Sequence, residues 1–391
     1  MNATAGRLFS AMAAVALAAP AAGFAQSSVT ITGRIHISVD NLKFSQPAAT
    51  RTTTSESRLN DESSDLWIRV REDLGGGLSA FAQLGLKPNI DSSALSSAGE
   101  SFVGLSSKTT GEIRAGRNNF HWYKAPWDGY ALGGARDHAP ASLIDLAGAG
   151  AVPIANATRT PNSIKWISPR WGGFGIDAGY SFNPGGATVS EADLTAGNTA
   201  RKGRGFNFNP SFSGANWQIA WSYWNGKADA PAAATAAAQL AGADQRSDSL
   251  YGYYAWGGLK IGAIWNKTKL KASATGGALA PVGTELSNRT AWSIPVRYTT
   301  GSHHFIAHYT KARDDKATPG VQDGAKMWSL MYAYGLSKRT YVSVAYGKLT
   351  NDAGAAYSLF DNSTTSIGSV NSASAAGEDP RITSFGILHT F

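Results

Sequence analysis

Arg381-Ile-Thr-Ser-Phe-Gly-Ile-Leu-His-Thr-Phe391 is the stretch on which the reading of this chain turns. Thr383, Phe385, Ile387, His389 and Phe391 fall on one face of a strand; Ser384, Gly386, Leu388 and Thr390 fall on the other. Final residues usually fray. A two-residue period held up to a terminal aromatic ties the chain end into a sheet. The alternation suits the last strand of a soluble sandwich. It also suits a transmembrane β-barrel, whose strands alternate apolar-out and polar-in and carry aromatics at the membrane interfaces.

The opposite end weighs towards the barrel. Arg7 precedes an apolar run from Leu8 to Ala19, followed by Pro20 and the small-residue site Gly23-Phe24-Ala25. A charged start, a short apolar core and a small-x-Ala site predict a signal peptide over residues 1–25, with the fold in 26–391. The run is too short for a membrane span of about 20 residues, and no later stretch approaches one. The chain has no cysteine, so an exported protein of this kind needs a large closed structure instead of disulfides. Its 44 Gly suit tight turns, and its 12 Trp, 14 Tyr and 15 Phe suit interface girdles. The formal charge of +8 falls to +7 without Arg7. The basic residues are scattered singly at strand period rather than clustered, which argues against nucleic acid as a partner and for a positive lumen that favours anions.

Between the ends runs a repeating rhythm of alternating segment, Gly-rich turn, alternating segment and long polar loop. In Val29–Val39, Val29, Ile31, Gly33, Ile35, Ile37 and Val39 share one face, while Thr30, Thr32, Arg34, His36 and Ser38 share the other. Short turns at 73–77, 109–111, 169–173, 213–215, 256–258, 299–302 and 335–338 join seven hairpins. Long connections rich in Ala, Ser, Thr, Asp and Gly fill 40–63, 88–99, 119–160, 183–202, 226–247, 269–287, 312–325 and 349–380. The fold expected is all-β: a sixteen-stranded antiparallel transmembrane β-barrel with short periplasmic turns and long extracellular loops. Pro295 falls mid-strand, where a ladder donor is lost. The glycines of 203–212 blur that strand, and the Ala-rich 230–243 reads as polar linker rather than helix.

Four stretches, taken together and in order, resemble the trimeric general porins, most closely those of β-proteobacteria. They are Ser28-Val-Thr-Ile-Thr-Gly-Arg34, Glu72-Asp-Leu-Gly-Gly-Gly-Leu-Ser-Ala-Phe-Ala-Gln83, Ser101-Phe-Val-Gly-Leu-Ser with Gly111-Glu-Ile-Arg-Ala-Gly-Arg-Asn118, and Gly386-Ile-Leu-His-Thr-Phe391. The resemblance implies an outer-membrane homotrimer and passive diffusion of small hydrophilic solutes. It further implies a third extracellular loop, 119–160, folded inward to narrow the lumen. The partners expected are outer-membrane lipid and lipopolysaccharide, the barrel-assembly machinery and small solutes or anions; no cofactor is expected. Gly386, His389 and Phe391 match the terminal assembly signal.

Arg34, Arg69 and Arg71 sit on the polar faces of the first two strands, so they face the lumen if Ile35, Ile68 and Val70 face lipid or a subunit interface; by the same resemblance, these three with Arg117 and Arg159 form or flank a cationic wall at the constriction. A guanidinium stays charged and offers five donors, so it can stand in for the hydration of a passing anion. Asp128, Asp137 and Asp145 in the third loop would set an opposing negative side, or lie as ordinary surface carboxylates. His121, Trp122, Tyr123 and Trp127 would line a vestibule or pack the loop against the wall. Two departures stand out: Asp65 sits where the family has an arginine of the wall, and Trp67 where it has a glycine. In addition, Leu388 replaces a common basic residue, and the acidic Pro-Glu-Phe-Gly-Gly type of segment is absent from 119–160.

Enzymatic motifs are missing: no Gly-x-Ser-x-Gly, no His-Glu-x-x-His and no Gly-Lys-Ser/Thr. His304 and His308 share a strand face but stand roughly 13 Å apart by strand rise, too far to chelate one metal ion. A pore selective for one organic acid is the alternative within the membrane. A barrel hydrolase and a soluble glycan-binding β-protein are the alternatives outside the channel class.

Overall fold

The computed structural model describes residues 27–62, 64–96, 99–121, 159–182, 184, 203–227, 243–273, 280–359 and 374–391. Residues 1–25, expected to be a signal peptide, and the Ala-rich 230–242 lie outside the described residues. No helix among the described residues is long and apolar enough to cross a membrane, which says nothing of crossing by strands.

The strand segments are β1 (Ser28–Ser45), β2 (Ser55–Asp61), β3 (Asp65–Gly75), β4 (Leu78–Asn89), β5 (Ala94–Ser96), β6 (Ser101–Ser107), β7 (Gly111–Asn119), β8 (Arg159–Ile167) and β9 (Phe174–Ser181). They continue as β10 (Arg204–Ser213), β11 (Trp217–Lys227), β12 (Asp244–Trp256), β13 (Leu259–Lys271), β14 (Glu285–Thr300), β15 (His303–Ala312), β16 (Ala325–Gly335), β17 (Thr340–Asn351) and β18 (Asp379–Thr390). Two of these eighteen segments do not add to the ring. β2 and β3 both pair with β1, one above the other, and make one interrupted barrel strand. β5 pairs only with the outer end of β4. The ring therefore has sixteen antiparallel strands and closes where β1 meets β18, from Arg34 opposite Thr390 to Ser45 opposite Asp379.

The interruption at 62–64 is stitched locally. Ser64 donates from Oγ and from its amide to the Asp61 carboxylate at 2.5 and 3.0 Å. The His36 amide donates to Ser64 Oγ at 3.1 Å, and the Glu62 amide to the His36 carbonyl at 2.9 Å. The first strand thus runs past Val39 to Ser45, and much of the expected loop 40–63 is strand. The chain extends its ladders beyond the lipid-facing zone with Ser, Asn and Asp, whose polarity is the mark of loop in a sequence.

Alternation sorts the two faces. On β18, Ile382, Ser384 and Leu388 point inward and are buried, while Phe385 and Ile387 are 62% and 46% exposed on the outside. The outward aromatics form two belts. Trp292 packs on Tyr309 and Trp328 on Tyr346 towards the long loops; Phe305 packs on Tyr332 and Phe212 on Trp217 towards the short turns. The turns are short because glycine takes the backbone where a Cβ is strained: Gly75, Gly76 and Gly77 have φ of 81°, 60° and 80°. Pro295 sits inside β14. The ladder to β13 lapses beside it, between Ser293 and Val296, while pairing to β15 continues with His308 opposite Pro295.

The mouth is closed on one side by packing and by charge. Leu42, Phe44, Leu349, Tyr357, Leu359 and Ile382 form a buried apolar cluster between β1, β17, β18 and the last long loop. Glu378, just before β18, receives Arg51 at both carboxylate oxygens (2.6 Å each) and the amides of Ala48 and Ala375. It thereby ties the first loop to the last.

Candidate functional site

The lumen wall over β1, β3, β4, β6 and β7 is where inward positions gather charge. Arg34 on β1 points inward and meets Asp65 on β3 at 2.5 Å; Lys87 on β4 contacts the other oxygen of the same carboxylate. Asp65 is nearly buried between them, with 5% of its side chain exposed against 16% for each cation. Arg159, at the start of β8, lies close enough to act electrostatically on Lys87. The carboxylate found where an arginine was expected is thus a clamp on two cations, not an isolated negative charge.

Further towards the short turns, the wall carries cations without such a clamp. Arg69 donates to Gln83 at 2.8 Å and Thr32 at 3.1 Å, and lies 5.2 Å from the Trp67 ring. Arg71 donates to Ser106 at 3.2 Å. Neither has a carboxylate partner among the described residues. Arg114 on β7 pairs with Glu112 and sits 4.4 Å above the Phe102 ring. Together with Phe81 and Gln83 these groups line a recess of about 320 Å³. Trp67, at the position expected to be glycine, supplies the ring under Arg69.

The residues expected at the constriction therefore divide. Arg34 and Arg159 gather around Lys87 and Asp65, and Arg69 and Arg71 line the wall below. Arg117 falls on the alternation of Ile113 and Ala115, next to an irregularity between Gly116 and Asn118, and donates to the Arg159 carbonyl at 3.2 Å. Lys87 and Arg114 were missed by sequence reasoning. Inward parity gave a signal for each: Lys87 follows Ser79, Phe81, Gln83 and Gly85 on one face, and Arg114 follows Glu112.

The third loop turns into the barrel at its first residues. Asn118 donates to Ser163 Oγ at 3.0 Å. The Phe120 ring covers Gly179, where an added Cβ would come within 2.4 Å of it, and packs on Trp224 at 6.2 Å. Its carbonyl accepts from Asn209 at 2.8 Å. His121 is buried against the far inner wall, with Nδ1 2.7 Å from Ser222 Oγ and Nε2 3.0 Å from Ser247 Oγ. Asn266 donates to Ser247 and Ser249, and Thr268 contacts Ser247 and donates to Asn266, in one network. The polar inner face of β11–β13 is thus a seat for the loop. Asp128, Asp137 and Asp145, with Trp122, Tyr123 and Trp127, lie outside the described residues.

At the seam, the Phe391 amide and carbonyl exchange hydrogen bonds of 3.1 Å with Gly33, and its ring lies over that glycine. His389 Nδ1 is 3.0 Å from Thr340 Oγ1, and Gly386 stands inward opposite Ser38 and Ser343. Of the lumen histidines, His308 is buried and His304 sits 3.1 Å from Thr299. Among the described residues no cluster of His, Asp or Glu is arranged to hold a metal ion.

Known proteins resemble the whole chain. An anion-selective porin from Comamonas acidovorans superposes with a TM-score of 0.72 at 23% identity, covering 94% of this chain and all of that one. OmpT of Vibrio cholerae in its trimer form gives 0.59 at 13% identity, covering 93% and 99%. Salmonella typhi OmpF in complex with daunomycin gives 0.58 at 14%, covering 93% and 97%. No curated protein sequence matches significantly. The sequence does match the Gram-negative porins over residues 11–378, nearly its whole length. With a closed sixteen-strand ring and a polar lumen, the chain belongs to the Gram-negative porin family and is a diffusion channel of the outer membrane.

Proposed function

We propose that this porin prefers anions, and that the preference arises at the wall formed by β1, β3, β4, β6 and β7. The observation that carries this reading is that Arg69 and Arg71 on this wall have no carboxylate partner among the described residues, while Arg34 and Lys87 are held by Asp65 and Arg114 by Glu112. Uncompensated guanidinium groups facing water raise the local density of anions and lower that of cations. The anion-selective porin of Comamonas acidovorans, built on the same fold, adds support.

The test is planar-bilayer recording in a salt gradient. Replacing Arg69 and Arg71 together by Gln should move the reversal potential towards cations, most at low salt, where the screening length rises from about 8 Å to about 30 Å. A like change at Arg246, which faces outward in β12, should do little. If the double variant keeps its selectivity at low salt, the preference does not arise at this wall.

One observation favours a narrower reading. Trp67, Phe81 and Phe102 lie beside Arg69, Arg71 and Arg114. Rings next to guanidinium groups suit aromatic carboxylates, and a pore selective for such an acid would show conductance block that saturates with it. Asp128, Asp137 and Asp145 remain the candidate negative side of the neck.

A homotrimer is part of the same proposal. Val70, Leu84, Val103, Leu105 and Ile113 make an exposed apolar outer face on β3–β7, and the Vibrio cholerae relative is described as a trimer. Gly386, His389 and Phe391 would present the terminal strand to the assembly machinery.

A further inference from the structure

The inner face of β13 and β14 beside the short turns holds two cations that the resemblance did not assign. Lys260 on β13 shares its face with the buried Ile264, and Arg297 on β14 shares its face with the buried Ser293 and Pro295, so both point into the lumen. They are direct cross-strand partners. Lys260 Nζ lies 4.1 Å from the centre of the Tyr253 ring on β12. Thr299, two residues beyond Arg297 and on the same face, has its Oγ1 3.1 Å from His304 Nδ1 on β15.

The register sets this pair level with the cations of the other wall. Counted from the short turn, Arg71 belongs to the fourth residue pair of its hairpin, opposite Phe81; Arg114 belongs to the fourth of the next, opposite Gly104; and Arg297 belongs to the fourth of its own, opposite Ile306. In the closed ring β13 stands eight strands from β4, halfway round. The two groups of cations therefore face each other across the lumen at one height. Carboxylate side chains do not balance the far side. β10–β18 carry Asp244, Asp248, Glu285 and Asp379, all in their loop-side halves, and the short turns that join these strands carry no Asp or Glu. The resemblance implies basic groups on one wall only, faced by an acidic loop. In the short-turn half of this lumen basic groups stand on both sides.

We propose that Lys260 and Arg297 form a second anion station on this far side, so that small carboxylates and inorganic anions cross the short-turn half of the lumen inside a collar of cations rather than along one wall. The proposal extends the anion preference stated above and rests on it. The two arrangements differ physically. A basic wall facing an acidic loop makes a field across the lumen. Cations on both sides cancel that transverse field near the axis while their potentials add. An anion then gains wherever it travels across the section, and a cation finds no favourable side. The Tyr253 ring holds the Lys260 ammonium in place by cation–π attraction, which keeps its charge at the wall.

The experiment reads the local potential in the whole purified porin. The chain has no cysteine, so Thr299→Cys places a single thiol beside Arg297. Its rates of reaction with an anionic and a cationic methanethiosulfonate reagent are compared at about 0.01 M ionic strength; the ratio cancels the thiol's own reactivity. The anionic reagent should be favoured. Arg297→Gln should lower the ratio about fivefold, because one charge at about 7 Å in water changes each rate about twofold, in opposite senses. Arg297→Lys should hold the ratio near its starting value. Lys260→Gln should lower it with Arg297 in place, which keeps the test open if the Arg297 variant does not fold. Arg69→Gln with Arg71→Gln should leave it unchanged, since those groups lie across the lumen. In planar bilayers, Lys260→Gln with Arg297→Gln should shift the reversal potential towards cations whatever the sign of the wild-type selectivity. A shift on changing Arg69 and Arg71 but none on changing Lys260 and Arg297 would remove the second station and leave the wall reading standing. The reverse would keep the station and remove the wall. A reagent ratio that responds to neither Arg297→Gln nor Lys260→Gln would overturn the proposal.

Discussion

Asp65 offers a sharp quantitative test, because two opposed effects follow from its removal. In Asp65→Asn, Arg34 loses a partner at 2.5 Å and Lys87 loses its contact. Were the cluster dry, leaving a cation unpaired would cost about 3–5 kcal/mol. It is not dry, since both cations keep 16% of their side chains exposed to the lumen. Lumen water replaces part of what the carboxylate supplied, so the cost falls between that figure and the roughly 1 kcal/mol of an exposed pair. The barrel should fold and keep its heat-modifiable mobility. The wall, meanwhile, gains one net positive charge. At about 5 Å in water that charge acts on a monovalent ion with roughly 0.8 kcal/mol, enough to raise local anion density about fourfold and depress cation density by a similar factor. Reversal potentials in a potassium chloride gradient should therefore move towards the anion limit at about 0.01 M ionic strength and hardly at all at 1 M, where screening falls to about 3 Å. Asp65→Glu should stay near the wild type. A reversal potential that does not move at low salt, or moves towards cations, would refute the view that Asp65 neutralises wall charge facing the ion path.

Other expectations follow from the loop seat, the seam and the mouth. His121→Ala removes the ring's hydrogen bonds to Ser222, Ser247 and Ser249, worth about 1 kcal/mol each, and should loosen the third loop, read as larger open-channel noise. Deleting Phe391 removes both of its hydrogen bonds to Gly33. Heat-modifiable protein in the outer membrane should fall while synthesis continues, and unchanged assembly would count against the seam. Glu378 is held down to a pKa of about 2, first by the Arg51 hydrogen bonds and then by the Ala375 and Ala48 amides, against an opposing effect of burial. Its tether should be complete above the ordinary value of 4.5 and be lost as pH falls through about 2, read as rising hydrogen exchange around Ala48 and Arg51. Glu378→Gln should show that exchange already at neutral pH.

What could be read in the sequence follows from what leaves a periodic trace. Membrane-crossing segments must alternate, since one face meets lipid and the other water, so β1, β18 and the seven hairpins were legible. The outer parts of the strands were not: there both faces meet water or loop, and Ser55–Asp61 reads as linker though it forms a ladder with β1. The union of β2 and β3 into one barrel strand depends on hydrogen bonds between Ser64, Asp61 and His36, which no period encodes. Arg69 and Arg71 were placed by alternation, and Lys87 and Arg114 were equally placeable by it. Arg117 entered by family resemblance, whereas its alternation with Ile113 pointed elsewhere. That Asp65 holds both Arg34 and Lys87 joins three strands and is visible only once they are side by side.

The seam between β1 and β18 has a consequence for how the barrel is completed. It pairs the two ends of the folded chain, so it is the contact with the greatest sequence separation and the slowest to be found. Until it forms, any partial sheet presents two open edges, each a template for pairing with another molecule. Twelve consecutive residue pairs must also fall into one alignment. A slip of one position would send Arg34 and His36 into lipid and Val39 into the water of the lumen. Closure thus acts as a gauge: it succeeds only if every strand laid down in between has kept its place, and an error anywhere around the ring is exposed at the last joint.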